Sequence, residues 1–170
     1  MSQPLPISVY FVSGAEAHRI GAALESVQGW AAEIVVILQQ DVSDGTEELA
    51  RAQGAIVVRE PWKGFVGQKA SGLEKTSSAW TLNLDADEVV TPELREEISR
   101  AIAEAGPEID AFNFPRCTQF LGRWIRHGDW YPDLSLRLFR RDRARWGGDA
   151  FVHEKIDCSG PVARLRGDLH

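Results

Sequence analysis

The first hundred residues switch repeatedly between two hydrophobic periods. "ISVYFVS" (7–13), "EIVVILQ" (33–39), "AIVVRE" (55–60) and "WTLNLD" (80–85) are short apolar runs rich in β-branched and aromatic residues. Runs of that length and composition predict strands. Between the first two, Ile20, Leu24 and Val27 recur at i, i+4 and i+7, the stripe of an amphipathic helix, with Gly29 as a suitable stop. "TEELARAQG" (46–54) reads as a short helix capped by Thr46 and ended by Gly54, and another helix is expected near 66–77. "TPELREEISRAIAEAG" (91–106) is the clearest helix. Thr91 caps it, Pro92 takes the first helical position, and Glu93 and Glu96 enrich its start.

Strands alternating with helices predict an α/β fold, a mostly parallel sheet with helices on both faces. A length of 170 residues suits a single domain. After about residue 107 the texture changes. "DAFNFPR" and "LSLRLFRR" alternate like strands, and "FLGRWIRHGDWYPD" between them is dense in Trp, Arg, His and Asp. Residues 107–170 are therefore expected to add strands and loops to the sheet founded by residues 1–106. The closing "RLRGDLH" offers no obvious terminal element and reads as the end of a truncated chain.

Composition narrows the function classes. A net charge of −6 argues against bulk nucleic-acid binding, which depends on cationic surface. No window approaches the roughly 18 apolar residues of a membrane span. The start "MSQPLPISVYFVSG" has no basic region followed by a signal-like apolar core. A cytoplasmic location is expected, compatible with peripheral contact with the inner membrane surface. Cys117 and Cys158 have no zinc spacing and are expected as reduced thiols.

The fourth strand ends in an unusual way. Asp85, Asp87 and Glu88 put three acids within four residues, and like charges so close repel. Parallel sheets bind ligands at the carboxyl ends of their strands. Two carboxylates separated by one small residue can share a divalent cation, Mg²⁺ or Mn²⁺, which would bridge a nucleotide diphosphate. The alternative is a solvated acidic turn in which Glu88 favours the following helix.

The order of segments resembles family 2 glycosyltransferases of the A-type fold, and most of all the small bacterial enzymes that add sugars to the lipopolysaccharide inner core. The matching stretches are "ISVYFVSGAEAHRIGAALESVQGWAAEIVVI", "SDGTEELARAQGA", "EPWKGFVGQKASGLEKTSSAWTLNLDADEVVTPELREEI", "FLGRWIRHGDWYPDLSLRLFRR" and "VHEKI" followed by "GPVARLRGDLH". The resemblance implies inverting transfer of a sugar from a nucleotide-sugar, most simply a UDP-sugar, to a hydroxyl of a cell-envelope glycan or glycolipid. It also implies a metal at Asp85 and Asp87. Two positions depart from the family. Ala15-Glu16-Ala17 stand where Asn-Glu-Glu is usual, and Gln39 stands where an Asp usually meets the base, with Asp41 two residues on as a substitute.

Inversion needs a general base for the acceptor hydroxyl. Asp129, Asp133 and Glu154 are the candidates. Asp133 is slightly favoured, because His127, Trp130 and Tyr131 around it suit a sugar face. Asp44, in the family's "DGT", and Lys69 are candidate donor contacts, the first equally a turn and cap, the second equally a solvated lysine. His153 resembles the late histidine that adds a metal contact in some A-type enzymes. Arg123, Arg126, Arg137, Arg140 and Arg141 concentrate positive charge, as an anionic acceptor would require or as one solvated strand face would show. The rival reading is a non-catalytic module that binds sugar-nucleotide or glycan.

Overall fold

The computed structural model describes residues 4–149 and 153–170. The elements follow in the order β1 (Leu5–Ser13), α1 (Ile20–Val27), β2 (Ala31–Gln39), α2 (Thr46–Ala52), β3 (Ile56–Glu60), α3 (Gly64–Glu74), β4 (Trp80–Asp85) and α4 (Pro92–Glu104). The second half supplies β5 (Ala111–Arg116), β6 (Thr118–Phe120), β7 (Arg123–Ile125), a 3-10 turn (Gly128–Trp130), β8 (Asp133–Arg140), β9 (Ala144–Asp149), β10 (His153–Cys158) and β11 (Val162–Arg164).

Seven strands form the central sheet in the order β11-β5-β8-β4-β1-β2-β3. The β1–β2, β2–β3, β1–β4 and β5–β11 pairs are parallel; β8 runs antiparallel to both β4 and β5. The expected mostly parallel α/β sheet is therefore present, and the second half joins it through β5, β8 and β11. β9–β10 and β6–β7 form separate antiparallel hairpins.

β1 reads as a continuous apolar run because it is buried on both sides. Ile7, Val9 and Phe11 enter one core with Ile20 and Leu24 of α1, Ala50 of α2 and Leu94 and Ile98 of α4. Tyr10 enters the other with Leu73 of α3, and Trp146 and Ile156 of the β9–β10 hairpin pack there. The approach of α3 to β1 needs a glycine: a Cβ on Gly72 would lie 2.4 Å from the Tyr10 ring. No helix among the described residues is long and apolar enough to cross a membrane.

Two local expectations change. Thr46 does not cap α2. Gly45 does, at φ 95°, while the Thr46 hydroxyl bonds the Asp44 carboxylate and accepts from the Glu16 amide. The segment "RLRGDLH" does not trail away. After β11, Leu169 N donates to Pro115 O at 2.9 Å and Cys117 N to Leu169 O at 2.7 Å, and His170 exchanges backbone hydrogen bonds with Val89. Glu97 accepts from the Arg166 and Gly167 amides. These residues bridge the end of β5 to the acidic turn, a role written in backbone bonds and so invisible to periodicity. Thr91 caps α4 as expected, accepting from Leu94 N at 3.2 Å.

Candidate active site

The chain leaves β1 toward β2 and β3 on one side and returns to β4 on the other. The loops after β1 and β4 thus meet at a topological switch point, where open α/β sheets bind ligands. Arg19, just before α1, reaches across it to Asp87 at 3.4 Å. The loop after β1 is tied to the loop after β2 by Asp44, whose Oδ2 accepts from Ala17 N at 3.1 Å and whose Oδ1 accepts from Thr46 N at 3.1 Å. The Thr46 hydroxyl and, after it, these amides hold its carboxylate below the usual range. Asp44 therefore braces the rim, and its carboxylate is engaged by the protein itself. Gln39 ends β2 with Oε1 beside Gly14, 3.9 Å from where a Cβ would stand, and Asp41 is exposed on the following turn.

The acidic turn is met by two cations from elsewhere in the chain. Arg137, on β8 and buried, donates to Asp85 Oδ2 at 2.8 Å, to Glu88 Oε1 at 2.6 Å and to Asn83 Oδ1 at 3.2 Å. Lys69, on α3 and 3% exposed, lies 3.3 Å from Asp85 Oδ1 and 2.8 Å from Glu154 Oε1, over the Trp146 ring. Burial opposes the charge on Asp85, but Arg137 and Lys69 outweigh it and hold the carboxyl below its ordinary value. Glu88 goes the other way. Burial pushes it up, against Arg137, and the neighbouring Asp85 charge adds to the rise. Glu88 also accepts from the Asp85 amide at 2.8 Å, closing the turn. Asp87 differs from both: its side chain is 57% exposed, and Arg19 is its one ion-pair partner among the described residues.

The three candidate bases stand apart. Asp133 opens β8 and is gripped by Arg116, whose Nε and Nη2 both donate to Oδ2, at 2.9 and 2.7 Å. Glu154 is committed to Lys69, which outweighs burial and holds it below the ordinary carboxylate range. Asp129 is exposed on the 3-10 turn, with no ion-pair partner among the described residues. The His153 backbone opens β10, while its side chain lies outside those described. Next to Lys69, Gln68 is 1% exposed and has neither amide atom hydrogen-bonded among the described residues.

The arginines expected as one basic surface are dispersed. Arg137 serves the acidic turn. Arg140 donates to Ile109 O and Gly106 O and stacks on Trp80, 4.5 Å to the ring centre. Arg141 donates to Glu74 O, and Arg126 pairs with Asp168 at 3.0 Å. Arg123 alone is exposed without such a partner among the described residues. A guanidinium carries several donors, and here they join strands and loops. Arg116, which sequence reasoning missed, pairs with Asp133 at the rim and lies 3.7 Å from Glu88.

Two cavities flank the turn and share Asp85 and Arg116. One, about 490 Å³, sets Lys69, Arg116, Arg137 and Lys155 against Asp85 and Glu154. The other, about 460 Å³, has Asp85, Asp87 and Glu88 against Arg116, with Gln119, Trp124 and His170 opposite. Cys117, Asp168 and His170 bring ligand-type atoms within 4.8 Å of one another. Arg126 already occupies that space: it pairs with Asp168 and lies 3.5 Å from His170 Nε2, while Tyr131 donates to Asp168 at 2.7 Å. A guanidinium there repels a metal cation, so the trio is an internal polar network.

A family model described as glycosyl transferase family 2 matches residues 8–157. The chain belongs to that family. It is 32% identical over 171 residues to the lipopolysaccharide core biosynthesis glycosyltransferase LpsC of Rhizobium meliloti (strain 1021), covering 98% of this chain and 62% of LpsC. A glycosyltransferase of Rickettsia prowazekii (strain Madrid E), RP128, is 37% identical over 92 residues, 54% of this chain and 31% of its own length. The chain thus spans less than two thirds of these relatives. Glucosyl-3-phosphoglycerate synthase from Mycobacterium tuberculosis, crystallised with Mn²⁺, UDP and phosphoglyceric acid, superimposes with a TM-score of 0.65 at 18% identity, over 95% of this chain and 68% of that one. TarS of S. aureus superimposes with a TM-score of 0.58 at 15% identity, over 79% of this chain and 28% of that one. Both share the family 2 chain's fold, the A-type, Rossmann-like arrangement expected from the sequence.

Proposed function

We propose that the chain performs inverting transfer of a sugar from a nucleotide-sugar to a hydroxyl of a cell-envelope glycan or lipopolysaccharide-core acceptor. Residues 1–106 serve chiefly the donor, joined there by Arg137, and residues 107–170 chiefly the acceptor. The observation that carries this reading is the acidic turn at the switch point: Asp87 is exposed there, and Asp85, two residues before it, lines a cavity in which cations outnumber carboxylates. Family membership and the name of LpsC favour a glycan acceptor, and the Mn²⁺ and UDP in the Mycobacterium tuberculosis complex favour a divalent metal and a uridine nucleotide.

The residues present fit a hard divalent cation, with unequal shares. Mg²⁺ and Mn²⁺ take carboxylate oxygens. Asp87 offers exposed ones, whereas both oxygens of Asp85 already face cationic groups of the protein. Asp87 is therefore the main ligand, His153 a candidate second, and Asp85 fixes Lys69 and Arg137 where an anionic diphosphate enters. A bound Mg²⁺ or Mn²⁺ would neutralise the leaving diphosphate. Gln39 and Asp41 stand at the rim for the base, and Gln68 holds an unspent amide on the same helix as Lys69.

Asp133 is the general base on this reading. Both Arg116 bonds go to Oδ2, which leaves Oδ1 to take the acceptor's proton. As that proton moves to Asp133, the acceptor oxygen bonds the anomeric carbon from the face opposite the diphosphate. The bond to the diphosphate oxygen breaks, and its electron pair departs with the nucleotide.

Calorimetric titration of UDP, GDP, ADP, CDP and dTDP, with and without Mn²⁺, tests the donor site. One nucleotide should bind in a metal-dependent way and lose binding in Asp87→Ala, a variant expected to stay folded. A folded protein that binds none of the five with Mn²⁺ present overturns the reading.

A further inference from the structure

We infer that the cavity on the carboxylate side of the acidic turn is a saccharide subsite, with the Trp124 indole as the platform for a pyranose ring. As the acceptor subsite it rests on the transfer reading above; as a sugar site it stands on its own geometry.

The lining has the chemistry of a polyol site. Gln119 offers an amide and Thr118 a hydroxyl, each able to donate and to accept, while Glu88 is buried with both oxygens committed to Arg137 and the Asp85 amide. Asp85 and Glu88 are already paired with Lys69 and Arg137, so no excess of cations faces this cavity, whereas the neighbouring one sets four cations against two carboxylates. A ring with many hydroxyls and an apolar face fits such a lining.

Trp124 supplies the apolar surface, and its placement is fixed. Gln119 and Trp124 are partners in the β6–β7 register, so both project to the same face of that hairpin. The indole stacks on the His170 imidazole with centroids 4.0 Å apart and planes 21° from parallel. His170 is held in turn by its backbone exchange with Val89 and by the Arg126–Asp168 pair. Burial holds the imidazole below its ordinary value, against Asp168, so it stacks as a neutral ring at pH 7. Trp124 nonetheless remains 41% exposed.

The other exposed tryptophans sharpen the contrast. Trp130 packs edge-on against Phe120 at 5.6 Å, and Trp62 against Phe65 at 4.9 Å; neither lines the cavity. The aromatic platform expected at Trp130 is instead at Trp124, and the Tyr131 hydroxyl is spent on Asp168.

The test uses the whole chain and the methyl glycosides of glucose, galactose, mannose and N-acetylglucosamine, read by saturation-transfer NMR and Trp fluorescence. At least one should bind saturably. Trp124→Ala should weaken it by about tenfold, the order expected for an aromatic contact, and Trp124→Phe by less. Trp62→Ala, remote from the cavity, should leave it unchanged. If Trp124→Ala fails to fold, Gln119→Leu, on an exposed residue, should weaken the same glycoside. No saturable binding of any glycoside, or binding indifferent to Trp124 and Gln119, overturns the subsite. Nucleotide titration of the same samples separates the two readings. Nucleotide bound without glycoside removes the subsite and keeps the transfer reading. Glycoside bound without nucleotide does the reverse.

Discussion

Residues 5–104 cohere through shared apolar surface, whereas the second half, besides its buried Phe114, Leu138 and Phe139, is braced by arginines that join its segments to one another and, through Arg137, to the first half. In the first half, β1, β2 and β4 bury Phe11, Val36, Ile37, Leu82 and Leu84 completely, and α1 and α4 add Leu24 and Leu94. In the second, Arg116, Arg126, Arg137, Arg140 and Arg143 each reach a carboxylate or carbonyl of another segment. Apolar packing tolerates small changes, because each contact is weak and many share the load. A charge pair fails abruptly, because removing one partner leaves the other stranded. The contrast explains how a concentration of arginines can look like a ligand surface in sequence and be internal bracing in the fold.

The sharpest break of that comparison is Arg137→Ala. It strands Asp85 and the buried Glu88, and denaturant unfolding should show a loss of about 4 kcal/mol, the range for opening a buried pair. Adding Glu88→Gln and Asp85→Asn should recover much of it. The matching change in the apolar half, Leu24→Ala, should cost about 3 kcal/mol by the same measurement. Thr91→Ala should cost about 1 kcal/mol as a lost cap, and Thr91→Ser much less. Thr91 also donates to Asp168 O, so the Ala variant tests one tie between the halves.

The smallest effect probes an ion pair inside the apolar half. Burial opposes the charge on Glu60, but hydrogen bonds from Lys75, Ser71 and Lys63 outweigh it and hold the carboxyl at about 2. A carboxyl depressed by folding stabilises above its unfolded value of 4.5 and loses that contribution as pH falls toward about 2. Acid unfolding followed by circular dichroism should therefore steepen below pH 4.5, and Glu60→Gln should flatten that segment.

The two halves also differ in how much their sequences disclose. β1 and β2 were legible because long runs buried on both sides leave nearly unbroken apolar strings, β3 and β4 because they are short β-rich runs spaced between helical segments, and α4 because its cap and Pro92 are local signals. β6 and β7 were not. They are three residues each and largely exposed, so no alternation marks them. In the site, the acidic turn and Lys69 stood out by residue type and position. Arg137 carried a usable signal: in "LSLRLF" it alternates in register with Ser135 and Phe139, so it shares a face with a buried ring, and a buried arginine demands an acid. Arg116, Trp124 and His170 carried none, since the segment after β11 and the β6–β7 hairpin bring them to the turn through long-range backbone bonds.

The reversed direction of β8 has a consequence for how such a molecule diversifies. Because β8 runs against β4 and β5, its first residues lie at the same rim as the ends of both, and the chain between β5 and β8 begins and finishes there. That interval, residues 117–132, can lengthen, shorten or be replaced without shifting the register of a single central strand. The saccharide subsite proposed above, built on Gln119 and Trp124 of this interval, can therefore change while the sheet keeps its register, much as a tool head is exchanged on a fixed handle.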